Sequence, residues 1–111
     1  MTKSPISSPN DRYHRLFLRS LDEEGLSDKT RNAHGSNIEH FLFGYLDRET
    51  GMGAPEGIEM VPDFLGDYWL DTDYDLPSIS AYKSMISSLK TFYKCLLDNG
   101  EIERELYRDM L

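Results

Sequence analysis

Cysteine is nearly absent from this sequence: Cys95 stands alone among 111 residues. That excludes an intramolecular disulfide framework and a cysteine-based zinc site, and it suits a reducing compartment. Long apolar runs are missing as well. No window approaches the ~20 consecutive apolar residues of a membrane span, and residues 1–9 offer only Ile6 as a large apolar side chain after the initiator, too little for a signal peptide. These absences predict a cytoplasmic chain with no membrane partner. Strand patterning is absent too, with no alternating β-branched run and no Asn-Gly or Asp-Gly turn between two such runs. Positive charge is scarce: 12 Lys+Arg face 20 Asp+Glu, giving a net charge of −8 and a pI near 4.7.

What is present is helical. Residues 1–9, with three serines and two prolines, read as a disordered leader, and 10–111 read as one helical domain, a length that fits the usual ~100–200 residues per domain. Asn10 is the expected cap of a first helix over 11–24, with Tyr13, Leu16, Phe17 and Leu21 on its inner face and Gly25 as its stop. Ser27 caps a second helix over 28–47, polar in its first half and carrying Ile38, Phe41, Leu42, Tyr45 and Leu46 in its second. Glu49 to Gly57 reads as a loop. A third helix begins near Pro62 and buries Phe64, Leu65, Tyr68 and Trp69, and an acidic turn over 71–75 closes it. The longest helix, 79–98, buries Tyr82, Met85, Ile86, Leu89, Phe92, Tyr93 and Leu96, and 102–111 forms a loosely docked amphipathic tail. The fold class is all-α.

Charge is unevenly placed along this pattern. Between Asp47 and Asp75 stand nine acidic residues and one basic one, whereas 76–97 hold Lys83, Lys90 and Lys94 and no acid. Lys83, Ser87, Lys90, Thr91 and Lys94 step by three and four, so they share the face opposite the apolar stripe. A helix normally mixes signs on its wet face to gain i,i+4 pairing, and lysines with hydroxyls on one face are phosphate-contact chemistry. Lys29, Thr30 and Arg31 form a second cluster at the start of the second helix, where backbone N–H groups favour anions.

The succession Phe17-Leu18, Gly25-Leu26-Ser27, Thr30, Phe41-Leu42, Phe64-Leu65, Tyr68-Trp69, Leu89-Lys90-Thr91-Phe92-Tyr93 and Gly100-Glu101-Ile102 resembles the N-terminal core-binding domain of tyrosine recombinases, the phage-type integrases, over about 11–103. The resemblance implies a compact SAM-like orthogonal bundle of four to five helices forming half of a clamp around double-stranded DNA, without a cofactor. It implies contacts through the second and fourth helices, here Lys29, Thr30, Arg31, Ser87, Lys90, Thr91 and Lys94, joined on charge grounds by Lys83. It also implies association with a C-terminal catalytic recombinase domain and with other recombinase protomers. The chain departs from the family at Gly35, where relatives often carry a basic residue, and in its acidity, which suits either a high-salt source or loss of DNA binding.

Catalytic chemistry is not apparent in the sequence. The residues three after His14, His34 and His40 are Phe17, Asn37 and Phe43, so there is no His-x-x-Arg box. The tyrosines mostly fit apolar stripes and are assigned to the core. His34 and His40 lack the i,i+4 spacing of a zinc pair, and Asp71, Asp73 and Asp75 are followed by Pro77 and Ile79, which do not suit a calcium loop. The expectation is therefore a non-catalytic DNA-binding module. The alternative is a helical protein-interaction module, using the 102–111 tail or another exposed face, which the net charge favours.

Overall fold

Helix α1, Pro9–Glu23, starts at Ser8, whose hydroxyl accepts from the Asn10 N–H at 3.0 Å, and Pro9 takes the first helical position, where a missing N–H costs nothing. The cap is thus Ser8 and not Asn10, and the last two residues assigned to the leader belong to the folded unit. Asn10 is instead fully buried. Its amide donates to Asp47 Oδ1 at 2.8 Å and to the Met52 carbonyl at 3.1 Å, and its carbonyl accepts from the Ala54 N–H at 2.7 Å. Ser8 Oγ donates to the same Asp47 oxygen. The computed structural model describes residues 8–68 and 79–110, and over these the chain is an all-α bundle, as the patterning predicts.

Helix α2, Asp28–Glu39, is capped by Ser27, whose hydroxyl accepts from the Thr30 N–H, as expected. Gly35 does not break it. The glycine lies at the crossing with α1, where a Cβ would stand 3.0 Å from Leu18 Cδ2, and its carbonyl meets His14 Nε2 at 3.3 Å. From His40 the winding changes: His40–Thr50 is a π-helix that ends at Gly51, in the left-handed region, with the Gly51 N–H bonded to the Leu46 carbonyl. A plain α-helix over 28–47 was expected. The wider turn keeps residues four and five apart on one face, so Phe41, Leu42, Tyr45 and Leu46 are all buried.

The expected loop before Pro62 is largely helical as well. Ala54–Gly57 (α3), a 3₁₀ turn Ile58–Met60, Val61–Asp63 (α4) and a π turn Phe64–Tyr68 follow one another without a break. Asn10 supplies the acceptor for the first N–H of this run, and Pro55 suits its first turn. Gly57 packs directly on Leu46, where a Cβ would come within 2.5 Å of Cδ1. Phe64 is buried and Leu65 half-buried. The expected burial of the Tyr68 and Trp69 side chains and the acidic turn over 71–75 lie outside the described residues.

Helix α5, Ile79–Asp98, has the expected bounds and joins the core through Met85, Leu89, Phe92, Tyr93 and Leu96. Phe92 stands edge-on to Phe17 and to Tyr93, with centroids 5.3 and 4.9 Å apart, and Phe41 meets Phe64 at 5.0 Å. The Tyr93 hydroxyl donates to the Ala54 carbonyl at 2.9 Å, and burial pushes its pKa well up. Two residues of the expected stripe depart from it: Tyr82 is 36% exposed and Ile86 is half-buried. Gly100, at φ +74°, ends α5. Helix α6, Arg104–Met110, then docks on α5 and on the 3₁₀ turn, with Ile102 buried beneath it.

Candidate nucleic-acid interface

The most extensive helix contact in the bundle is between α2 and α5, the two elements that carry the predicted phosphate contacts. It is fastened by a polar seam. Ser88 is fully buried, and its hydroxyl lies 2.7 Å from His34 Nδ1 and accepts from the Asn37 amide at 2.9 Å. The same amide donates to Ser84 Oγ at 3.1 Å. Burial lowers the His34 pKa, with nearby Glu24 opposing it. His34 and Asn37 stand one turn apart on α2, and Ser84 and Ser88 one turn apart on α5, so two rows of polar side chains fix the register of one helix on the other. As residue numbers rise along α2 the seam moves back along α5, which makes the pair antiparallel.

Turning Ser84 and Ser88 toward α2 and the apolar stripe toward the core leaves a third face of α5 in solvent. Lys83, Ser87 and Lys90 are exposed there and Thr91 is half-buried. These four, with Ile86, line an open cleft of about 330 Å³. Among the described residues, Lys83 and Lys90 have no carboxylate within ion-pair distance. The apolar spacing places Ile86 in the core, but it is half-buried, and its place at the edge of the stripe next to Lys83 and Lys90 is the sequence signal that it belongs to this surface.

Lys94 differs from its neighbours. Its ammonium donates to both Asp98 oxygens at 2.8 and 3.0 Å, and that hydrogen bond raises its pKa. Lys90, Thr91 and Lys94 border a second cleft, of about 270 Å³, that also contains Glu24 and Asp98. Among the described residues, the lysine face therefore has no acidic partner at Lys83 and Lys90 and is acid-flanked at its C-terminal end.

The α2 cluster is divided as well. Lys29 is exposed and outside any ion pair among the described residues, while Thr30 Oγ1 accepts from Ser27 Oγ at 3.0 Å. Arg31 is bonded to Asp22 and, at 3.2 Å, to Asp28, and it lines a separate cleft between α1 and α2 with His14, Gly35 and Glu39. The cleft of Lys83 and Lys90 thus does not take in Arg31.

Among the described residues, no group of three or more His, Cys, Asp or Glu side chains is placed to hold a metal ion, and no helix is long and apolar enough to cross a membrane. Buried side-chain nitrogen and oxygen atoms there all have hydrogen-bond partners. What the geometry defines as a class is an all-α bundle with one lysine- and hydroxyl-bearing helix face. No family model, curated protein or solved structure matches the chain.

Proposed function

We propose that this chain is a non-catalytic DNA-binding module of the kind its sequence resembles, the core-binding domain of integrase-like tyrosine recombinases, and that it holds duplex DNA through the exposed face of α5 with help from the start of α2. The observation that carries this reading is the cleft formed by Lys83, Ser87, Lys90 and Thr91, where two ammonium groups with no ion-pair partner among the described residues and two hydroxyls border one groove on a single helix. Lysine and hydroxyl contacts of this kind read the phosphate backbone, so the module positions DNA with little base selectivity. The seam from His34 and Asn37 to Ser84 and Ser88 holds the two contributing helices in fixed register. Any strand cleavage belongs to other protein, and a catalytic recombinase domain and further recombinase protomers are the partners this reading carries with it. The net charge of −8 acts at long range and slows the approach to DNA, while the local lysine strip governs the contact itself.

Charge-reversal variants at sites with and without an acidic partner test this reading. Lys83→Glu/Lys90→Glu should weaken binding to a labelled duplex at ~20 mM salt by at least ~10-fold, with unchanged helicity. Lys94→Glu should cost less, since Lys94 already faces Asp98. No binding by the unmodified chain, or equal loss in both variants, contradicts the assignment.

A further inference from the structure

The docking of α6 leaves a second built surface, formed by residues that the DNA reading does not use. Ile58, Glu59, Pro62, Leu106, Asp109 and Met110 enclose a cleft of about 370 Å³ between the 3₁₀ turn, the start of α4 and α6. Its floor is apolar and both of its charged residues are acidic. Leu106 is 37% exposed, one of the few large apolar side chains among the described residues left so open to solvent. The surroundings keep the same sign. Residues 49–68 contain no Lys or Arg, and Glu56, Glu59 and Asp63 are exposed there. On α6, Glu105 and Asp109 stand one turn apart beside Leu106 and Met110, whereas Arg104 and Arg108 fall on the opposite face of the helix. The helix therefore turns its arginines away from the cleft and places Asp109 on its rim.

We propose that this cleft is a docking site for a short segment of another polypeptide that carries one or two bulky apolar side chains flanked by Lys or Arg. Apolar anchors entering a cleft of this size supply the favourable area. The carboxylate rim gives the sign of the partner, because a rim charge steers approach and penalises a like-charged segment. An acidic or purely polar segment is rejected on both counts.

The probes are fluorescein-labelled amphipathic peptides of about 14 residues, long enough to lay one helical face into a groove. One presents Leu and Met at i,i+4 with flanking Lys, the second replaces the Lys with Glu, and the third replaces the Leu and Met with Ser. The basic apolar peptide should bind at least ~10-fold more tightly than either control, with amide shifts of the ¹⁵N-labelled chain confined to Ile58, Glu59, Leu106 and Met110 and their neighbours. Leu106→Asp, at a solvent-facing position, should abolish that preference without lowering the melting temperature by more than a few degrees. Glu59→Lys/Asp109→Lys should transfer the preference to the Glu-flanked peptide, a gain that loss of fold cannot produce. Equal binding of all three peptides, or no change in preference with the reversed rim, overturns the proposal. Self-association at rising protein concentration that Leu106→Asp removes also overturns it, by making a second copy of this chain the occupant.

Discussion

Asn10 shows how much of this fold rests on single polar side chains. It is fully buried and joins α1 to Asp47, Met52 and Ala54 through three hydrogen bonds. Removing it strands the buried Ala54 N–H and breaks the bonds to Asp47 and Met52, so Asn10→Ala should lower stability by about 2–4 kcal/mol, read as a shift in urea midpoint at constant slope. His34 couples the seam to pH. Its pKa is lowered by burial, so between its folded and unfolded values the unfolded chain binds more protons and stability rises with pH. Stability should fall as pH drops below about 6.5, the ordinary histidine value. The difference between the wild type and His34→Gln, followed by denaturant titration from pH 7.5 to 5, isolates this group. A difference that does not change across that window contradicts the assignment.

At the scale of elements, the long helices were legible because their apolar residues recur at helical spacing and their stops are glycines. Helix α5 has the bounds its pattern predicts, and Gly25 and Gly100 occupy the left-handed region, as helix stops do. Two features were not legible. The π winding over His40–Thr50 leaves no local signature, because Phe41, Leu42, Tyr45 and Leu46 satisfy a 3.6-residue period almost as well as a wider one. The helical run from Ala54 was hidden by three glycines and a proline, which locally read as loop; tertiary contacts decided otherwise, with Asn10 satisfying the first N–H and Gly57 allowing Leu46 to pack. Gly57→Ala places a methyl within 2.5 Å of Cδ1 and 3.3 Å of Cγ of the fully buried Leu46, so the whole isobutyl group must move. It should destabilise the protein by about 1–3 kcal/mol despite the better helix propensity of alanine, measurable by thermal and chemical unfolding.

At the scale of the whole molecule, the lysine spacing on α5 was readable from the sequence, but the pairing state of each cation was not. Arg31 and Lys94 are tied to acids at three and four residues' separation, Asp28 and Asp98, and Arg31 also to Asp22, nine residues away; the near pairs could have been suspected from spacing alone. Lys29, Lys83 and Lys90 have no acid within reach among the described residues. The cleft that gathers two of them also depends on Ser84 and Ser88 facing α2, a role assigned by the seam rather than by composition. The acidic total and the local lysine strip then make opposite demands, and salt separates them: screening weakens the long-range repulsion, while each phosphate contact loses affinity through counterion release.

The most direct measurement is the salt dependence of duplex binding by the unmodified chain, followed by fluorescence anisotropy from ~20 to ~200 mM salt. With Lys29, Lys83 and Lys90 as the phosphate contacts, the log–log slope should be about −3, falling to about −1 for Lys83→Glu/Lys90→Glu and remaining near −3 for Lys94→Glu. Binding that is absent at the lowest salt, or a slope that the Lys83 and Lys90 reversals leave unchanged, would contradict the DNA-holding role.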